Sequence, residues 1–147
     1  MKKFISMALL MAVAISASAQ DSQLWLNNVE DAKTLAKEKG KPILMSFAGS
    51  DWCRPCIMLT KEVFEDEKFK AYAQENLVLL LLDFPRLKKN KLSDEQTQHN
   101  EKLAAQYNTT GEFPLVVLIN GDGKVIAKTG YQKGGADNFI QYLESVL

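Results

Sequence analysis

Cys53 and Cys56 are the only two cysteines in this chain of 147 residues. Only Arg54 and Pro55 lie between them. A structural disulfide gains stability by closing a loop, and this spacing closes almost none. A structural zinc site needs four ligands, and the single histidine, His99, is far away in sequence. An inert disulfide and a metal site are therefore the weaker alternatives, and no metal ligand set is assigned. The spacing points to thiol–disulfide redox chemistry. The nucleophile in that chemistry is a thiolate, and an ordinary thiol is mostly protonated at neutral pH. Something must stabilise the anion.

The surrounding pattern supplies it. Pro42 to Ala48 (PILMSFA) reads as a strand buried on both faces. Gly49-Ser50-Asp51 is a turn. A helical pattern then runs through Ile57, Leu59, Val63 and Phe64, with Pro55 tolerated in its first turn. Cys53 thus falls at or just before a helix N-terminus, where free N–H groups and the helix dipole favour negative charge. Arg54 adds a positive charge beside it. Arg54 and Pro55 are therefore assigned to tuning the Cys53 thiol. Cys56 falls one turn on, on the same face, and is expected to be the more buried and less acidic of the pair.

The remaining elements form a frame for this unit. A helix capped by Asn27 or Asn28 runs to about Lys39, and Gly40 ends it. A second helical piece covers about Glu67 to Glu75. Leu77 to Phe84 is the most apolar run after the leader and reads as a central strand. Ser93 and Gln96 mark a capping box for a helix to about Tyr107. Leu115 to Ile119 is a strand, Asn120 to Gly123 a hairpin turn, and Lys124 to Thr129 its outer partner. A last helix spans about Ala136 to Val146. Strands alternating with helices predict an α/β domain with helices on both faces of a largely parallel sheet, the hairpin adding an antiparallel edge strand.

The leader is set apart before the fold is read. Lys2 and Lys3 precede an apolar run from Phe4 to Ile15, then Ala17 and Ala19 in an A-x-A arrangement. This is a secretory signal over residues 1–19, cleaved after Ala19, with one domain over 20–147. The apolar run is short for a membrane span. Export to the periplasm or beyond places the cysteines where a disulfide persists. Formal net charge is zero, with 18 basic and 18 acidic residues. Losing Lys2 and Lys3 leaves 16 against 18, a net charge of −2. No strong field points to nucleic acid or an anionic membrane.

Taken together, the strand, Trp52-Cys53-Arg54-Pro55-Cys56, the helix, Phe113-Pro114-Leu115 and the Asn120–Lys124 hairpin resemble the thioredoxin superfamily over about Asp31 to Leu147. The Gly49–Cys53 approach looks like that of exported members related to disulfide-interchange reductase domains. The resemblance implies the thioredoxin fold, a central mixed β-sheet flanked by helices on both faces. It implies that Pro114 is a cis-proline beside the cysteines, that Phe113 offers its backbone to a substrate strand, and that Trp52 shapes the groove rim. There are departures. Arg54 stands where thioredoxin has glycine, Leu115 follows the proline instead of threonine, and the 85–100 segment is longer. Ser46 is the nearest match to a buried aspartate that helps the second cysteine lose its proton. Asp51 and Glu112 are candidates for that role by position.

The expected activity is an exported thiol–disulfide oxidoreductase that reduces protein disulfides. Cys53 attacks a partner disulfide, and Cys56 resolves the mixed disulfide. No dissociable cofactor is required. The partners are protein disulfide substrates and a redox partner protein, a membrane electron donor in the case of a reductase. The chain is expected to be monomeric and not membrane-spanning after cleavage. The rivals are a disulfide oxidase or isomerase, and a redox-inert binding module with the same fold. Elsewhere, the Arg86–Lys91 basic run reads as a solvated loop, with partner docking as the sharper idea. His99 reads as a surface helix residue, and Met45, Met58, Phe47 and Phe64 as core.

Overall fold

The computed structural model describes residues 24–147. The expected leader and its cleavage point lie outside the described residues. In chain order the elements are β1 (Trp25–Leu26), α1 (Val29–Lys39), β2 (Ile43–Ala48), α2 (Arg54–Leu59), a π-helical turn (Thr60–Phe64), α3 (Glu67–Asn76), β3 (Val78–Asp83), a short 3₁₀ turn (Lys88–Asn90), α4 (Asp94–Tyr107), β4 (Leu115–Ile119), β5 (Val125–Thr129) and α5 (Gly135–Val146). The strands form one five-stranded sheet in the order β1-β3-β2-β4-β5.

The local signals explain the element ends. Asn28 caps α1, its side-chain oxygen accepting from the Glu30 N–H at 2.8 Å. Gly40 ends the helix at φ 63°, a left-handed conformation that costs glycine little. Ser93 caps α4 through the Gln96 N–H at 3.1 Å. The box is not reciprocal, because the Gln96 amide reaches to the Asn27 carbonyl instead.

Strand alternation divides the core into two layers. Ile43, Met45 and Phe47 of β2 face the same way as Leu80 and Leu82 of β3 and Val117 of β4. They pack on Val29, Ala32 and Ala36 of α1 and on Leu103 and Tyr107 of α4. Leu44, Leu79, Val116 and Leu118 face the other way, onto Leu59, Val63, Phe69, Phe139 and Leu143. Helices therefore cover both faces, and β2 is buried along its whole length.

Four expectations need correction. The central strand is β2, while the apolar run of β3 lies between β2 and β1. β3 is not covered throughout, since Leu81 is exposed. β4 pairs with β2 antiparallel, so the sheet reverses one strand earlier than expected. Trp25 and Leu26, for which no element was expected, form β1, parallel to β3, with Trp25 opposite Leu79. His99 is half-buried between elements and is not a surface residue. Its Nε2 accepts from the Val29 N–H at 3.0 Å. The ring proton therefore sits on Nδ1, 2.9 Å from Asn100 Oδ1. Asn100 in turn donates to the Asp83 carbonyl at 2.9 Å. This chain of bonds fixes α4 to the start of α1 and to the end of β3, the strand that leads to the site loop.

Candidate active site

The chain leaves the C-terminal end of β2, turns through Gly49–Trp52 and enters α2. Cys53 is the N-cap of α2, in extended conformation. Its Sγ receives the Cys56 N–H at 3.3 Å. This is the group that would meet a thiolate on Cys53, because the first N–H groups of a helix have no partner within it. Cys53 and Cys56 are joined in a disulfide, with Cα atoms 5.2 Å apart. Pro55 lies in the first turn of α2, as the sequence requires, and Arg54 is exposed beside it.

The expected difference in burial within the pair is not there. Cys53 is 4% exposed and Cys56 3%. Each sulfur also receives one backbone N–H, Cys56 Sγ from Gly49 at 3.4 Å. The asymmetry lies in position alone: Cys53 caps the helix and Cys56 sits inside it.

Trp52 and Phe113 pack against the disulfide and Ala48. Their rings meet edge-on at 5.4 Å. The Trp52 indole N–H donates to the Phe84 carbonyl at 2.7 Å. Phe84 itself lies against Phe113 at 5.4 Å and on Phe47 of β2 at 6.4 Å. An aromatic row therefore leads from the sheet core to the rim of the disulfide. Gly49 is required here, since a Cβ at that position would enter the space of the Trp52 indole. The Phe113–Pro114 peptide bond is cis. Glu112, Phe113, Pro114 and Leu115 line one side of an open groove of about 510 Å³, and Lys128, Thr129 and Gly130 the other. Trp52, Cys53, Cys56 and Phe113 are thus gathered at one place, with Pro114 bonded to Phe113 at the groove.

The loop after β3 is held onto this rim. The Asp51 carboxylate accepts from the Arg86 N–H at 2.9 Å, the Leu87 N–H at 3.0 Å and the Asn90 side chain at 3.0 Å. The Arg86 guanidinium carbon lies 3.7 Å from the Trp52 ring centroid, a cation–π stack. Asp83 holds the other end of the turn, accepting from the Ser50 N–H at 2.9 Å and its hydroxyl at 2.6 Å. The sequence indicated neither contact. The donors are backbone N–H groups some 35 residues from Asp51, and no residue pattern encodes them.

These contacts bear on the search for a proton acceptor. The Asp51 oxygens are committed to the loop. Glu112 is exposed, and its backbone is clasped by Asn108 through bonds of 2.8 and 2.9 Å. Ser46 is buried on the face of β2 opposite to Phe47, beside Trp25, Phe64 and Leu81. Among the described residues, the hydrogen-bond donor to Cys56 Sγ is the Gly49 N–H, and no carboxylate reaches it.

The Arg86 N–H, then the Asn90 amide and the Leu87 N–H, hold the Asp51 carboxyl below its ordinary value of 3.8. Because its pKa is lowered by these bonds, Asp51 anchors the loop fully above that ordinary value. The anchor is lost as pH falls through the lowered one. In a Trp25→Phe background, Trp52 fluorescence is expected to stay constant from neutrality down to the ordinary carboxylate range and to change only below it. Asp51→Ala should show the changed signal at neutral pH. An identical acid transition in Asp51→Ala would rule out this anchor.

The comparisons with known proteins agree with this geometry. A family profile described as a thioredoxin-like domain matches residues 29–147. A protein of Chlamydia pneumoniae named disulfide bond reductase DsbH is 38% identical over 112 residues, 76% of this chain and 66% of that one. The thioredoxin-related protein DsbJ of the same organism is 29% identical over 110 residues, 75% of this chain and 31% of that one. The match thus spans just under two thirds of the first relative and about a third of the second. A solved structure titled DsbH oxidoreductase superimposes with a TM-score of 0.78 at 34% identity, covering 97% of this chain and 94% of the other.

Proposed function

The chain belongs to the thioredoxin-like family, and from that premise we propose that it is a thiol–disulfide oxidoreductase that reduces disulfides in exported proteins. The observation that carries this reading is the Cys53–Cys56 disulfide at the start of α2, packed against Trp52 and Phe113. In the reduced protein, the Cys53 thiolate attacks one sulfur of a partner disulfide. The other partner sulfur leaves as a thiolate, and a mixed disulfide forms. The Cys56 thiolate then attacks Cys53 Sγ and releases the second partner sulfur. Two electrons pass to the partner, and the enzyme ends as the disulfide seen here.

The Cys56 N–H and the Arg54 charge favour the Cys53 thiolate. Pro55 sets the first turn of the helix. The groove beside Phe113 and Pro114 holds the partner segment, and Trp52 forms its rim. The reducing direction is supported by the name of the Chlamydia relative. Residues 1–19 act as the export signal and 20–147 form the working domain, monomeric and placed in the periplasm or outside the cell. An oxidising compartment returns the pair to the disulfide, so a redox partner protein must supply electrons; a membrane-borne donor meets this need.

Equilibrating residues 20–147 against defined thiol–disulfide buffers tests the direction. A reduction potential near about −270 mV is expected for a reductase. A value near about −120 mV would mark an oxidant, and failure of the pair to exchange would leave a binding module.

A further inference from the structure

We propose that the Arg86–Lys91 loop is a docking surface for protein partners that carry acidic residues beside their disulfide. The proposal rests on the oxidoreductase reading and names the class of partner that site takes. Four cations, Arg86, Lys88, Lys89 and Lys91, fall within six residues of a chain whose formal charge is zero. All four are exposed. Among the described residues, Lys88 and Lys89 have no carboxylate within salt-bridge distance, and Lys91 meets Asp94 at 3.4 Å on an exposed pair. The nearby acids Asp51, Asp83 and Asp94 offset part of this charge, but none of them meets Lys88 or Lys89. Asp51 points its oxygens at backbone and amide N–H groups of the loop, and Asp83 is bonded to Ser50.

Position makes the charge relevant to the chemistry. The loop is joined to the rim of the disulfide through the Arg86–Trp52 stack and the three bonds to Asp51. Those bonds order it before any partner arrives, so docking costs little loop entropy. Leu87 is 47% exposed in the middle of the cations and offers a partner an apolar contact. The opposite side of the site begins at Glu112, which carries the other sign. A partner segment crossing from the groove over Trp52 therefore meets a run of four cations on the loop side, with Lys128 of the groove wall and Arg54 as single charges elsewhere. Such a field raises the encounter rate of acidic segments and is screened by salt.

The test is a single-turnover assay on the pre-reduced protein. Three substrates are compared: two disulfide peptides of equal length with flanking acidic or basic residues, and neutral bis(2-hydroxyethyl) disulfide. At low salt the acidic peptide is expected to react about tenfold faster than the basic one, and the advantage should shrink as salt is added. Lys88→Glu/Lys89→Glu should remove or reverse the preference while leaving the rate with the neutral disulfide unchanged. Equal rates for the two peptides, or the same preference in the variant, would overturn the proposal, whether or not the loop then binds vesicles of anionic lipid. The neutral disulfide separates the two readings: without reaction there, the oxidoreductase reading fails; with reaction but no charge preference, only the docking surface fails.

Discussion

Cys53→Ser is expected to lower disulfide reduction by a factor of about 10³ or more, the scale on which loss of a covalent nucleophile is read. Serine cannot form the mixed disulfide. Cys56→Ser should behave differently. Its first step remains, so the partner stays attached to Cys53, and the adduct is visible by mass spectrometry. The pair of variants matters because burial does not tell the two sulfurs apart, at 4% and 3% exposure. The assignment of Cys53 as the attacking group rests on its place as the N-cap of α2. An adduct that accumulates on Cys56 in Cys53→Ser would reverse the roles. Full activity in Cys53→Ser would remove the redox reading altogether.

Phe47→Ala is expected to cost about 3–5 kcal/mol of stability, measured by urea unfolding. Phe47 is fully buried in the central strand. Its removal takes away the transfer free energy of a large ring and leaves a cavity in a layer packed from both sides. Since small domains hold about 5–15 kcal/mol in all, the loss is a large part of the total. The variant should also move the site. Phe84 lies on Phe47, and the Phe84 carbonyl holds the Trp52 indole. Reduced selectivity among peptide substrates is therefore expected, with the Cys53–Cys56 potential little changed. A loss below about 1 kcal/mol would mean that the layer closes over the gap.

Much of this arrangement was legible in the residues. Cys53 and Cys56 could be placed on a helix start because Pro42–Ala48, the Gly49–Asp51 turn and Pro55 each carry a local signal. Asn27 or Asn28, Gly40 and Ser93 marked helix ends for the same reason. The reversal of β4 was not legible, because alternation of buried side chains is the same for either strand direction. β1 has only two residues, too few to show a period. The role of His99 depends on the Val29 N–H, 70 residues away. The pinned loop was missed on similar grounds: a basic run looks solvated until its backbone N–H groups are seen on Asp51. Local chemistry could be read from the sequence, and contacts between distant backbone groups could not.

The central position of β2 has a consequence for the timing of motion around the site. Its amides pair into ladders on both sides and lie under both layers of the core, so they exchange with solvent only when the whole domain opens. The Gly49–Cys53 turn hangs directly from the end of that strand and inherits its rigidity. The facing loop is held in place by one carboxylate and one stacked guanidinium, so it can open without breaking the sheet. A partner thus meets one wall that is fixed on the timescale of its visit and another that can yield and re-form during it.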